Sequence, residues 1–305
     1  MAVISPEASL QAYFSPILEG LEKERRAIID RNYTLMCISF GIILGGGLIA
    51  FELENPAFLV GGLMLGALAY FPFANKGGEE WTKKYKTDVI TAIVDSFFAQ
   101  NGSYEPQNGH TAEEFIDTEL FDKMPDRYYS EDLIKGKVDK TLIYFSEVHA
   151  EYKTTTSKGQ TSWHTIFQGI LFTADFNKHF QGRTIVKQND FWAFLKFGNI
   201  ELENPEFRKE FGVLASDPIE ARYILSPALM EKMLILNKNW GGSLGFCFVG
   251  SQLKIAIPMD KDFFEISIWT KINPQYQWLR DWQIIAELVE VVQDLDLNTR
   301  IWTKE

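Results

Sequence analysis

From Tyr33 to Phe51 the chain carries no charged residue, and from Pro56 to Ala74 it carries none either; each run is 19 residues long counting both ends. A helix needs about 20 residues to cross about 30 Å of hydrocarbon. Helices of a soluble core rarely stay apolar on every face for that length, twice in succession. Only Glu52-Leu53-Glu54-Asn55 parts the two runs. The pattern predicts a transmembrane hairpin over 33–74, spanning at 33–51 and 56–74, with Glu52 and Glu54 at its water-exposed tip. The competing reading is a broken helix pair inside a soluble core. Under it, the acids would mark a break rather than a tip.

Basic residues orient the hairpin. Lys23, Arg25, Arg26 and Arg31 precede the first run; Lys76, Lys83, Lys84 and Lys86 follow the second, and the four-residue tip has none. Lys and Arg are retained on the cytoplasmic side, so both termini are expected there, in a membrane crossed twice. Gly41 and Gly45 are four apart, as are Gly62 and Gly66, which sets small residues along one face of each helix. Such faces let helix backbones approach closely in lipid. Packing between the two helices and packing onto a further subunit are both open, as is the plain abundance of glycine in membrane helices.

The flanking segments divide the rest. Residues 1–32 read as an amphipathic helix, capped at Ser5-Pro6-Glu7 and striped by Leu10, Phe14, Ile17 and Leu21. They lack the pattern of a secretory signal. Residues 75–130 read as a helical stalk and linker. Trp81, Tyr85, Val89, Ile93 and Phe97 form its stripe, Asn101-Gly102 its stop, and Thr111 with Glu114 a capping box that opens a short helix through Leu120. From 131 to 305 the period changes to two. TLIYFSEVHAEYK and WHTIFQGILFTADF pair as a hairpin, RTIVK is a third strand, and FCFVGSQLKIAI is a second hairpin turning at Gly250-Ser251. Helices at SPALMEKMLIL and NPQYQWLRDWQIIAELVEVVQDLDL interrupt and close the series. Strands and helices without regular alternation predict an α+β domain with a largely antiparallel sheet and packed helices.

The stretches EVHAEYK, IFQGILFTADFNKHFQGRTIV, FRKEFGVLASDPIEARYILSPALMEKM and LNTRIW occur together in this order. In that combination the chain resembles the bacterial "domain of unknown function 3137" family over most of residues 20 to 303. The resemblance implies a protein of a bacterial inner or internal membrane, with a pair of membrane helices near the N-terminus and a cytoplasmic α+β domain. It brings no catalytic residues with it.

Chemistry is sparse. A net charge of -11, with no dense basic block outside the segments that flank the hairpin, argues against a nucleic-acid partner, because phosphate binding needs a basic surface. Cys37 and Cys247 stand alone in apolar surroundings, which argues against a structural disulfide and weakly for a reducing compartment. No phosphate-binding glycine loop, zinc-protease helix, nucleophile elbow or Cys-x-x-Cys pair occurs. Glu147, His149 and Glu151 fall on one face of a strand, where they form either a metal or acid–base site or the solvated face of a half-buried strand. Arg222, in SDPIEARYILSP, suits either an anion clamp or a lock between helix and sheet, and Arg300 invites the same pair of readings. Among the C-terminal tryptophans, Trp278 and Trp302 are core residues or, if exposed, partner contacts.

The expectation is therefore a membrane-anchored, non-enzymatic interaction or assembly module without a cofactor. It would bind another membrane protein, or itself, from the cytoplasmic face. The alternative is a metal- or anion-binding enzyme or sensor that uses the Glu147/His149/Glu151 face or Arg222. A third reading has the hairpin and the lysine-flanked helix shape or sense the bilayer.

Overall fold

Proline at the first position starts α1 at Pro6, and a run rich in Leu, Ile, Ala and Glu carries it through Pro16 and Gly45-Gly46-Gly47 to Glu52. The computed structural model describes residues 6–74, 76–176, 178–188, 200, 202–259, 264–273 and 277–297. Within α1, the N-terminal helix expected to end near 32 and the first apolar run are one element. After a short turn, α2 covers Ala57–Ala74 and α3 Lys76–Tyr85. Five residues of π-helix, Lys86–Ile90, then lead into α4, Thr91–Phe98.

The chain forms two units. One comprises Met1–Ala92 and Phe264–Asp281, the other Ile93–Phe263 and Trp282–Glu305.

In the first, helical unit, α1 is antiparallel to α2 and α3. A Cβ added to Gly46 would lie 2.8 Å from Gly62 Cα and from the Phe58 carbonyl, and Ser39 Oγ donates to the Gly66 carbonyl at 2.8 Å. Further along, Gly77 faces Ile28 and Arg31, and the Trp81 indole donates to the Leu21 carbonyl at 3.0 Å. The half of α1 that precedes Tyr33 has a core of its own. Phe14, Leu18, Leu21, Trp81, Tyr85, Val89 and Ile90 are all buried, and Trp278 stacks on Phe14 at 4.7 Å. Below this core lies a buried ion cluster. Glu22 accepts from Arg25 Nε (2.7 Å), Arg25 Nη2 (3.0 Å), Arg26 Nε (2.9 Å) and the Ile272 amide (3.2 Å).

The glycine contact corrects one expectation. Gly62 and Gly66 of α2 lie against α1, but the close approach on α1 is Gly46; Cβ atoms at Gly41 and Gly45 would meet nothing within 4 Å. Because the atoms opposite Gly46 are backbone, a larger side chain there must push the helices apart. Gly46→Ile is expected to destabilise the helix pair by about 1–3 kcal/mol, the usual cost of overpacking. Gly41→Ile, pointing into open space, controls for helix propensity and should leave thermal melting in detergent unchanged.

The second unit is built on one sheet of eight strands in the order β1-β2-β3-β4-β8-β7-β5-β6. They are β1 Ser103–Glu105, β2 Arg127–Val138, β3 Thr141–Thr155, β4 Thr161–Asp175, β5 Arg183–Gln188, β6 Phe211–Ala215, β7 Gly245–Val249 and β8 Gln252–Pro258. Every pairing is antiparallel. Among the described residues, five helices accompany the strands: α5 Ala112–Ile116, α6 Pro205–Glu210, α7 Pro218–Ile224, α8 Pro227–Asn239 and α9 Gln277–Asp294, the last shared with the helical unit. The α+β class with an antiparallel sheet is thus observed, together with one long apolar N-terminal helix. Both hairpins form where turn chemistry placed them, with Gly250 at φ 59° in the second.

The sheet is buried on both faces. One face carries Val148, Ala150, Phe167, Leu171, Cys247 and Ala256 and is covered by Phe115 and Leu120. The other carries Ile143, Phe145, Phe172, Phe246, Phe248 and Ile255, each at most 2% exposed. Three expectations change here. Ser103–Glu105, within the expected stalk and linker, is an edge strand paired to β2. Helix α5 stops at Ile116 rather than Leu120. The alternation in TLIYFSEVHAEYK puts Leu142 on one mostly apolar face with Tyr144, Val148, Ala150 and Tyr152, yet Leu142 is 54% exposed.

Candidate functional site

The loop that enters α5 lays its polar side chains on the sheet rather than in water. Thr111 caps α5, its hydroxyl accepting from the Glu114 amide while Glu114 reaches back to the Thr111 amide. That box fixes His110 one residue earlier, under the sheet face formed by Ser146 and Thr173. His110 Nδ1 lies 2.7 Å from Ser146 Oγ and Nε2 lies 3.0 Å from Thr173 Oγ1; the imidazole stacks on Tyr144 at 4.8 Å. Tyr144 donates to Glu114, and Tyr128 donates to the His110 carbonyl at 2.9 Å. One turn on, Asp117 accepts from Lys254 Nζ of β8 at 3.0 Å and from Arg183 Nη2 of β5 at 2.6 Å, and Arg183 also pairs with Glu119.

Electrostatics define what this cluster can do. Burial, with a smaller push from the Lys254 charge, holds the His110 imidazole down to about 3, so it is neutral at physiological pH. Burial raises the Tyr144 phenol, helped by the Glu114 carboxylate, and drives the Cys247 thiol up to about 11. A buried neutral imidazole with both nitrogens engaged, and a buried protonated thiol, are held back from general-base or nucleophilic chemistry with a solvent-borne substrate. The cluster fastens the 105–121 segment over the sheet by charge-assisted and neutral hydrogen bonds. Sequence reasoning missed it. His110 stands in a polar loop, and only the capping box beside it marks the site.

The residues singled out from the sequence fare differently. Glu147, His149 and Glu151 do not converge. Glu147 is 9% exposed, a register shift separates Ala150 from Glu151, and His149 Nε2 is 3.9 Å from Glu151 Oε1, whose carboxylate also faces Arg127 at 3.7 Å. Among the described residues no group of three or more His, Cys, Asp or Glu side chains is placed to hold a metal. Arg222 is exposed at the end of α7 and pairs with none of the described residues. The helix is tied instead by Glu220, which accepts from the Gln181 and Gly182 amides at 3.0 and 2.8 Å. Trp278 is 3% exposed and belongs to the helical core, not to a partner surface. Trp302 and Arg300 lie outside the described residues.

Taken together, the chain is an α+β protein with an eight-stranded antiparallel sheet; among the described residues one helix, Leu10–Glu52, is long and apolar enough to cross a membrane, and Ala57–Phe71 is a shorter apolar helix. Residues 165–297, from β4 to the turn after α9, match the model of the protein family of unknown function DUF3137, which bears out the family resemblance over that stretch. No curated protein matches the chain. Among solved structures, the crystal structure of the mycobacterial trehalose monomycolate transport factor A, TtfA, aligns with 6% identity over 70% of this chain and 95% of that one, at a TM-score of 0.34. A likeness of that degree carries no functional argument.

Proposed function

We propose that this protein is a membrane-anchored, non-enzymatic interaction or assembly module. The second half of α1 and α2 cross a bilayer as a hairpin, residues 52–55 lie on the far side, and both termini lie in the cytoplasm. From that side the protein binds another membrane protein or a second copy of itself. The supporting observation is the outward apolar surface of the two helices. Seventeen large apolar side chains between Tyr33 and Phe71 are exposed, among them Leu48 at 68%, Phe51 at 85% and Phe71 at 73%. Left in water, they would cost on the order of 20 kcal/mol at about 1–2 kcal/mol each, more than the 5–15 kcal/mol by which a domain is stable. Lipid removes that cost.

The charge pattern supports the orientation. Lys23, Arg26, Arg31, Lys83 and Lys84 are exposed at the end of the helix pair that α1 and α3 share, and the 52–55 turn has acids only. The polar cluster around His110 is internally paired, which favours a structural over a catalytic use of the sheet unit.

Topology and partner are tested on the same cells. In a Cys37→Ala background, Leu53→Cys should react with a membrane-impermeant maleimide from outside, and Lys83→Cys only after the membrane is opened. Light crosslinking should then recover one stoichiometric membrane protein or a self-adduct. Release of the chain by alkaline washing would overturn the anchor, and a partner-free monomer at native abundance would overturn the module.

A further inference from the structure

The segment from Glu265 to Ile272 climbs the helical unit and turns back. Glu265 pairs with Lys86 at 2.8 Å. One turn higher, the Ile266 carbonyl faces the Thr82 hydroxyl at 3.5 Å. Another turn up, the Ile268 side chain lies 3.6 Å from where a Cβ on Gly78 would be, and its carbonyl accepts from Arg25 Nη1 at 2.9 Å. The chain then descends, and the Ile272 amide donates to Glu22. The steps 86, 82 and 78 are successive turns toward the end of α2, a rise of about 12 Å at 1.5 Å per residue. Residues 269–271 are therefore the crest of the segment, its closest approach to the apolar helices.

The crest is built unlike its flanks. Phe264, Ile266 and Ile272 are buried, whereas Trp269 is 61% exposed and Thr270 and Lys271 are exposed beside it. Measured along α1, Ile268 lies near the level between Arg25 and Arg31, the residue that Gly77 faces. That is roughly 3–12 Å short of Tyr33, where the uncharged run begins. Headgroups occupy about 5–8 Å on each side of the hydrocarbon core, so the crest falls at their depth. Tryptophan is favoured there because its ring is apolar and its N–H is satisfied by water or lipid carbonyls.

We propose that Trp269-Thr270-Lys271 docks into the headgroup layer of the bilayer that α1 and α2 cross, making a third, non-spanning membrane contact; this rests on the anchored reading above. The indole supplies the recognition rather than charge. At the level of the crest, exposed Arg26, Arg31 and Lys271 are matched in number by exposed Asp30, Glu79 and Glu80; Lys23, Lys83 and Lys84 lie further along the helices from the apolar runs. Zwitterionic phosphatidylcholine is therefore sufficient as the surface. By fixing the crest at the lipid surface, the contact would fix the segment that Arg25 and Glu22 hold against α1.

The test uses the full chain in phosphatidylcholine vesicles, in the Cys37→Ala background, with an environment-sensitive fluorophore on Trp269→Cys or on Leu48→Cys. Nitroxide lipids carry the quencher either at headgroup level or near the chain ends. The expected result is deep quenching at 48, and at 269 a blue-shifted emission that loses roughly half its intensity to the headgroup-level quencher only, as an interfacial site requires. In parallel, Trp269→Leu should remove most of the lipid-quenchable tryptophan emission of the unlabelled chain. Deep quenching at 48 with water-like, unquenched emission at 269 would overturn this inference and leave the anchor standing. No quenching at 48 would overturn the anchor, and this inference with it.

Discussion

Glu22→Ala is expected to destabilise the helical unit by about 3–5 kcal/mol, the usual cost of removing one partner of a buried ion pair. Glu22 and Arg25 are each only 7% exposed. The carboxylate takes four hydrogen bonds, two from Arg25, one from Arg26 and one from the Ile272 amide. Without it, Arg25 stays buried, still donating to the neutral Ile268 carbonyl, and loses its countercharge. The Ile272 amide loses its acceptor at the same time. The change should appear in hydrogen exchange of the detergent-solubilised chain, as rapid opening of peptides covering 264–273. Glu22→Ala combined with Arg25→Met should recover part of the loss, because an apolar pair carries no stranded charge. Arg26→Ala should cost at most about 1 kcal/mol, since that side chain is 62% exposed. If the single and double variants open equally, the cluster is not what holds the segment. The pH dependence follows from the same geometry. The Arg25 hydrogen bonds, opposed by burial and aided by Arg26 and the Ile272 amide, hold Glu22 down to about 2. A depressed carboxylate stabilises fully above its unfolded value near 4.5, and the contribution is lost as pH falls from there to about 2.

How far the sequence foretold all this depends on whether the determinant is local. Local chemistry was legible. The Thr111/Glu114 box, the Ser226 cap ahead of Pro227 and the Gly250 turn are decided by residues next to one another, and all three form. The strand order was not legible. β8 inserts beside β4, and β5 sits between β7 and β6, pairings made across long separations that no turn signal encodes. β6 escaped because FGVLA follows a helix directly and shows no alternation. The Glu147 face misled for a related reason. Period-two patterning separates the two faces of a strand but does not say that both are covered, and Ile143 and Phe145 on the supposed solvated face are buried. In the glycine run 45–47, four-residue spacing named Gly45, whereas the rotation of α1 against α2 brings Gly46 to the contact. Such a rotation is a tertiary quantity.

Acidification should weaken the sheet unit well before ordinary carboxylates titrate, and His110 should be the cause. An imidazole in the unfolded chain takes up its proton near pH 6.5; in the folded chain burial first, and the Lys254 charge second, lower that value to about 3. Between those values the unfolded state binds the extra proton, so folding stability is fully present above 6.5 and declines as pH falls. At about 1.4 kcal/mol per unit of separation the contribution at stake is on the order of 5 kcal/mol, most of a small domain's margin. The groups facing the ring offer the proton no stabilisation. Ser146 and Thr173 are neutral, Tyr144 stacks its ring, and Lys254 repels. Because Glu22 responds only below about 4.5, the interval from pH 6.5 to 4.5 isolates His110. His110→Gln is expected to lose about 1–2 kcal/mol at pH 8, where it forfeits hydrogen bonds, yet to overtake the wild type by about pH 5. The urea midpoint of the detergent-solubilised chain at pH 8, 6.5 and 5 reads this directly. Parallel decline of both proteins across that range would mean that the imidazole is protonated or released without opening the sheet face, and that the 105–121 segment is held by the Asp117 pairs with Lys254 and Arg183 instead.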